Sequence, residues 1–258
     1  MIVYLGTASS NEYIDYCHKK YSKHDVVYVQ QKWDYTLVKA LLRCYGDDFF
    51  CVSYPPIQTF PSGKCLFKKR DTEKNGGLCI THCGLVNLPF LKQVTSILDV
   101  VTIIKKEMKK RKDKDLTIIT HSFYPQSFRA IKKLKKIYNV KVYTIIPDLP
   151  DFAYSNLNKN NKILAWLWEN FNESKQKLKK IPDGYICFSK YQRNYLEKDK
   201  PYIVMEGFAD VDYMESIDPA IIDKGKKIFM YAGALKENYG VDNLIHAFHS
   251  LENNDCEL

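Results

Sequence analysis

The chain has 258 residues, 45% of them hydrophobic and 27% charged, an ordinary globular mixture able to build a core and free of low-complexity tracts. Its formal net charge of +9 is unevenly spread: residues 211–258 carry 4 Lys+Arg against 9 Asp+Glu, and residues 1–210 carry 35 against 21. The basic first part favours anionic partners (phosphorylated substrates, acidic membrane surfaces, nucleic acid), or else it is lysine solvated on helix faces. No run approaches the ~20 apolar residues of a membrane span, and Met1–Leu5 is too short for a signal peptide. A cytoplasmic protein is the expectation, with peripheral contact at the inner face of a membrane as one of the readings of its basic first part.

Strand and helix signals alternate along the chain. Ile2–Leu5 reads as a short strand ending in Gly6-Thr7-Ala8-Ser9-Ser10, with a helix to follow. Val26–Val29 and Phe49–Val52 read as the next strands, the latter stopped by Pro55-Pro56. Residues 58–77 are polar and glycine- and lysine-rich, and read as a long loop. Leu78–Thr81 resumes the sheet. Pro89 then opens a helix to about Arg111, with Leu91, Val94, Leu98 and Val101 at core spacing and six cations near its end. Those cations complement the helix dipole and suit an anionic surface.

Leu116–Thr120 is a strong strand that delivers His121 at its end. A helix near Ser127–Tyr138 follows, with Phe128, Ile131, Leu134 and Tyr138 inward. Val140–Ile146 is a β-branched strand ending at Pro147-Asp148, and a long helix is predicted near Ile163–Leu178. Tyr185–Phe188 is a strand whose successor Ser189 caps a helix at Lys190–Leu196. Tyr202–Met205 closes the series, and Tyr213–Lys226 reads as a linker. Phe229–Ala232 is then a buried-type strand, Gly233 its turn, and Val241, Leu244, Ile245 and Phe248 one face of a helix. The alternation predicts an α/β fold: a Rossmann-like parallel sheet with helices on both faces, followed by the start of a second such domain. The expected divisions are residues 1–210, a linker at 211–226, and a first strand-helix unit at 227–258 that is incomplete as it stands.

The eight cysteines have no repeated spacing and are expected to be buried free thiols. Cys79, His82 and Cys83 cluster, but no second pair is spaced as zinc ligands require, so no metal is expected. In doubly wound sheets ligands bind beyond the carboxyl ends of the strands. That rule selects Gly6-Thr7, Cys83-Gly84, His121-Ser122, Pro147-Asp148, Gly207 and Gly233. Neither a dinucleotide-binding glycine fingerprint, nor a P-loop, nor a hydrolase nucleophile elbow is present.

IVYLGT at the start, TIIPDLPDF at 144–152, DGYICFSKYQRNYL at 183–196, YIVMEGFAD at 202–210 and FMYAGALKENYGVDNLIHAF at 229–248 together resemble GT-B glycosyltransferases of the family-4/family-1-like group. The resemblance implies two Rossmann-like domains, the first receiving the acceptor and the second holding a nucleotide-sugar. It implies no resident cofactor. It assigns His121 as the group that orients or deprotonates the attacking hydroxyl. Gly6, Thr7, Asp148, Gly233 and Lys236 would contact substrate, with Gly233 and Lys236 at the departing phosphate. Where relatives carry two further cations in that turn, this chain has Ala234 and Tyr239. The leading expectation is transfer of a sugar to a polysaccharide or lipid-linked acceptor, with little activity in this chain as written. The alternatives are a non-catalytic acceptor-binding subunit that pairs with a separate donor-binding chain, and a nucleotide-sugar epimerase. No nucleic-acid motif accompanies the lysines.

Overall fold

The computed structural model describes residues 1–23, 29–147, 177–209, 227–233, 235, 240–250 and 256–257. The chain divides into two units, Met1–Ala209 and Asp210–Leu258.

In the first unit, β1 (Ile2–Gly6) leads to α1 (Asn11–Tyr21), whose first turn is capped by the Ser10 hydroxyl accepting from the Tyr13 amide. Helix α2 (Val29–Tyr45) precedes β2 (Phe49–Ser53). Two two-residue strands and two five-residue strands follow: β3 (Phe67–Lys68), β4 (Asp71–Asn75), β5 (Leu78–His82) and β6 (Leu85–Val86). Helix α3 (Leu91–Arg111), β7 (Asp115–His121), α4 (Pro125–Leu134) and β8 (Asn139–Ile146) form the next crossovers. The unit ends with β9 (Gly184–Cys187), a 3-10 turn at Lys190–Tyr195 under a Ser189/Gln192 capping box, and β10 (Tyr202–Val204).

Eight strands form one sheet in the order β10-β9-β8-β7-β1-β2-β5-β4. Every neighbouring pair is parallel except β4 on β5. The alternation of side chains along each strand separates two cores. Val3 and Leu5 of β1 pack with Ile97, Ile104, Phe128 and Ile131 of α3 and α4 on one face. Tyr4 packs with Leu37, Val38, Cys51 and Ile80 on the other, under α2. The sheet is thus a Rossmann-like, doubly wound one with helices on both faces. From β1 the chain first moves outward through β2 and β5, then returns to the opposite side of β1 with β7. The direction of winding reverses between β1 and β7, and in such sheets a crevice opens at that point, beyond the strand ends.

Several sequence expectations are corrected. Residues 58–77 are not one loop: β4 lies within them as an antiparallel edge strand, joined to β5 by Gly76-Gly77 with φ of 53° and 83°. Positive φ at both central residues is the two-residue hairpin geometry that glycine adopts without strain. Val29 opens a helix rather than closing a strand, and residues 26–28 lie outside the described ones. In α3 the buried apolar side chains are Ile97, Val100, Ile103, Ile104 and Met108, whereas Leu91, Val94 and Leu98 face solvent. Cys17, Cys51, Cys83 and Cys187 are buried free thiols, but Cys44 and Cys79 are exposed. Residues 148–176, where a helix was expected, and the linker at 213–226 lie outside the described residues.

The second unit has β11 (Lys227–Ile228) parallel to β12 (Cys256–Glu257), and α5 (Val241–His249) between them in sequence. Its first strand lies just before the expected Phe229–Ala232. Phe229 packs edge-on against Phe248 at 5.8 Å.

Candidate functional site

A hydrogen-bonded set lies at the ends of β1 and β7. His121 is the last residue of β7 and points to the same sheet face as Ile119, toward α2. On α2, Asp34 occupies the core-facing position one turn before Leu37 and Val38. A fully buried acid needs partners to offset lost hydration, and Asp34 has three. Its Oδ2 accepts from the Thr7 amide and the Thr7 hydroxyl, both at 2.8 Å, and its Oδ1 lies 2.5 Å from His121 Nδ1. One carboxylate therefore ties the end of β1 to the end of β7. His121 Nδ1 is engaged, and Nε2 has no partner among the described residues. This arrangement fixes the neutral ring as the Nδ1–H tautomer and leaves Nε2 as the basic nitrogen.

The surroundings hold the set rigid. The Ser53 hydroxyl donates to the Ala8 carbonyl at 2.8 Å, and the Thr120 hydroxyl to the Leu5 carbonyl at 2.8 Å, both buried. Beneath Gly6 lies the Tyr4 ring: a Cβ at Gly6 would come within 2.6 Å of Tyr4 Cε1. The glycine is thus required by a fully buried tyrosine of its own strand. Burial, reinforced by the neighbouring Asp34 charge, pushes the Tyr4 phenol well above its ordinary range. Trp33 meets His121 edge-on at 4.9 Å, and Phe188 and Phe208, from the ends of β9 and β10, lie 5.4 and 4.5 Å from Trp33. An imidazole beside an aromatic wall at a switch point has the form of a small-molecule site: a few convergent polar groups on an apolar lining.

A second polar cluster lies at the end of β5. His82 Nε2 is 3.0 Å from Glu73 Oε2, and Glu73 Oε1 accepts from the Ser10 amide at 3.0 Å. The Tyr13 ring stacks on His82 at 3.8 Å, and its hydroxyl donates to Asp71, which pairs with Lys68 at 2.7 Å. His82 Nδ1 is buried without a partner among the described residues. Burial lowers the His82 pKa, against the opposing pull of Glu73. Burial also pushes the thiols of Cys17 and Cys83 up to about 12, which keeps them protonated and poor nucleophiles. Cys79, His82 and Cys83 do not converge: Cys79 is exposed while His82 turns to Glu73.

Of the residues singled out from sequence, the fold brings Gly6, Thr7 and His121 together. Thr7 turns inward, onto Asp34. Gly233 lies in the second unit, where an added Cβ would meet the Tyr231 hydroxyl at 2.6 Å. Asp148 and Lys236 lie outside the described residues. Asp34, Trp33 and Glu73 were missed. Asp34 had a signal: an acid on the apolar face of a helix, in register with Leu37 and Val38.

No family model matches the sequence, and no curated protein matches it either. Among solved structures, the chain is similar to a sucrose-phosphate synthase from Thermosynechococcus elongatus. Identity is 13% and the TM-score 0.41, over 79% of this chain and 87% of that one. A likeness at that level carries no argument about chemistry, which rests on the side chains described above.

Proposed function

We propose that this chain is the acceptor-side part of a glycosyltransferase that moves a sugar from a nucleotide-sugar to a hydroxyl of a polysaccharide or lipid-linked acceptor. The observation that carries the reading is the Thr7–Asp34–His121 set at the β1/β7 switch point. The acceptor hydroxyl gives its proton to His121 Nε2 as its oxygen bonds the anomeric carbon and the bond from that carbon to the donor phosphate breaks. The imidazolium so formed is stabilised by Asp34 at Nδ1, as in other imidazole–carboxylate pairs that act as general bases. Trp33, Phe188 and Phe208 offer a water-poor wall against which the C–H face of a sugar ring packs. Gly233 and Lys236 are the residues of the second unit assigned to the departing phosphate, and no metal or cofactor is required. A lipid-linked acceptor would place this reaction at the inner face of a membrane.

The test supplies labelled UDP-glucose, UDP-N-acetylglucosamine or GDP-mannose to purified chain mixed with an extract of source cells lacking it. The extract provides acceptor and any partner chain. Label from one donor entering lipid or polymer only when the chain is present is the expected result. Conversion of a donor without any acceptor would point to an epimerase instead, and no chain-dependent label from any donor would overturn the reading.

A further inference from the structure

The helix α3 carries an exposed stripe that the core does not use. Leu91, Val94 and Leu98 are 47%, 51% and 51% exposed, and they recur at the three- and four-residue spacing that aligns side chains on one face. The same face continues through Thr102 to Lys105 and Lys109, with Lys112 at the C-cap. The helix is about 31 Å long at 1.5 Å per residue, so its solvent face is apolar for its first half and cationic for its second. Just before it, Phe90 is 81% exposed and held at φ 63°. A bulky residue in that region is strained, and here the strain presents an aromatic ring to solvent at the apolar end.

We propose that this face of α3 docks the chain on an anionic lipid surface, with Phe90, Leu91, Val94 and Leu98 inserted among the acyl chains and the lysines against the headgroups. Charge complementarity selects that occupant. Residues 91–136, covering α3 and its neighbour α4, carry 13 Lys+Arg against 4 Asp+Glu, a net of +9 equal to that of the whole chain. The two acids of α3 are already engaged: Asp99 by Arg70 and the Gly84 amide, Glu107 by Arg111. Lys105, Lys106, Lys109 and Lys112 have no acidic partner among the described residues. A second copy is a poor occupant. Pairing α3 with itself in parallel stacks lysine on lysine, and antiparallel pairing buries each cationic half against an apolar one without a carboxylate. No described helix is long and apolar enough to cross a membrane, so the contact is one of lying on the surface, which amphipathic helices with a basic polar part achieve.

The position of the stripe has a consequence for the site. Helix α3 runs back along the sheet from the strand ends, so its apolar end lies at the same edge of the sheet as His121. Beside it is a cleft of about 400 Å³ lined by Tyr54, Pro55, Leu85, Pro89, Phe90 and Lys92, among others. Docking stands without the transfer reading. Taken with it, the lipid surface supplies the acceptor at the edge of the sheet where His121 lies.

Flotation with phosphatidylcholine vesicles, with and without phosphatidylglycerol, tests the docking directly. Binding is expected only to the anionic vesicles, and it should weaken at high salt. Replacing Lys105, Lys109 and Lys112 by Gln should weaken it on the order of 100-fold, and Val94→Ser with Leu98→Ser about tenfold. All five positions are exposed, so circular dichroism should be unchanged. No binding, equal binding to neutral vesicles, or variants that bind as well as the parent would each overturn the proposal. So would a concentration-dependent dimer abolished by Leu98→Ser. Failed flotation leaves transfer to a soluble acceptor standing, while intact flotation without transfer leaves the docking standing.

Discussion

The Asp34–His121 pair should act as one energetic unit, and its strength follows from the geometry. Asp34→Ala removes the fully buried acceptor of the Thr7 amide and of His121 Nδ1. Leaving these two donors unmet costs about 2–6 kcal/mol, a large share of the 5–15 kcal/mol, roughly, that holds an ordinary domain folded. His121→Ala loses the same bond from the other side, together with the edge contact to Trp33. In the double variant the shared bond is lost only once. The coupling energy should therefore be about 1.5–3 kcal/mol, the net worth of a hydrogen bond to a charged group. Urea denaturation followed by tryptophan fluorescence, to which Trp33 contributes from beside the pair, measures all four corners of the cycle. Additivity within about 0.5 kcal/mol would refute the claim that one carboxylate clamps β1 to β7 through His121.

Three further outcomes follow from the packing. Ile104→Ala should cost about 2–5 kcal/mol by opening a cavity under the sheet, while Leu98→Ala should stay within about 0.5 kcal/mol; equal losses in thermal denaturation would mean that the face of α3 is misassigned. Gly6→Ala should destabilise by about 1–3 kcal/mol, because the new Cβ meets a tyrosine ring with no room to move, and an unchanged urea midpoint would contradict that. Because burial lowers the His82 pKa in the fold, the unfolded chain binds its proton first as pH falls. Stability is therefore complete above the unfolded value of about 6.5 and declines below it. Urea midpoints between neutral and mildly acidic pH should fall more steeply for the parent than for His82→Gln, and parallel curves would show that His82 contributes nothing.

The sheet was legible in the sequence because its central strands are continuous apolar runs, which mark strands buried on both faces. His121 was legible because it terminates the strongest of those runs. Its partner was not, since Asp34 lies 87 positions away and only the folding of α2 over the sheet brings them together. Helix α3 was misread for a specific reason. It has two apolar stripes at the same spacing, Leu91-Val94-Leu98 and Ile97-Val100-Ile104, and periodicity cannot say which one the sheet covers. Strand β4, Asp-Thr-Glu-Lys-Asn, was missed because an edge strand with little buried surface needs no apolar alternation. The Asn75-Gly76-Gly77 turn was the signal that marked it.

The most direct test of the central claim, that sugar transfer passes through His121, compares His121→Ala with His82→Ala in the labelled-donor assay. Both histidines are buried at strand ends, and circular dichroism at the assay temperature verifies that both variants are folded. Loss of a general base predicts a rate lower by about 10²–10⁴-fold for His121→Ala and a near-parental rate for His82→Ala. Equal rates for His121→Ala and the parent would contradict the claim.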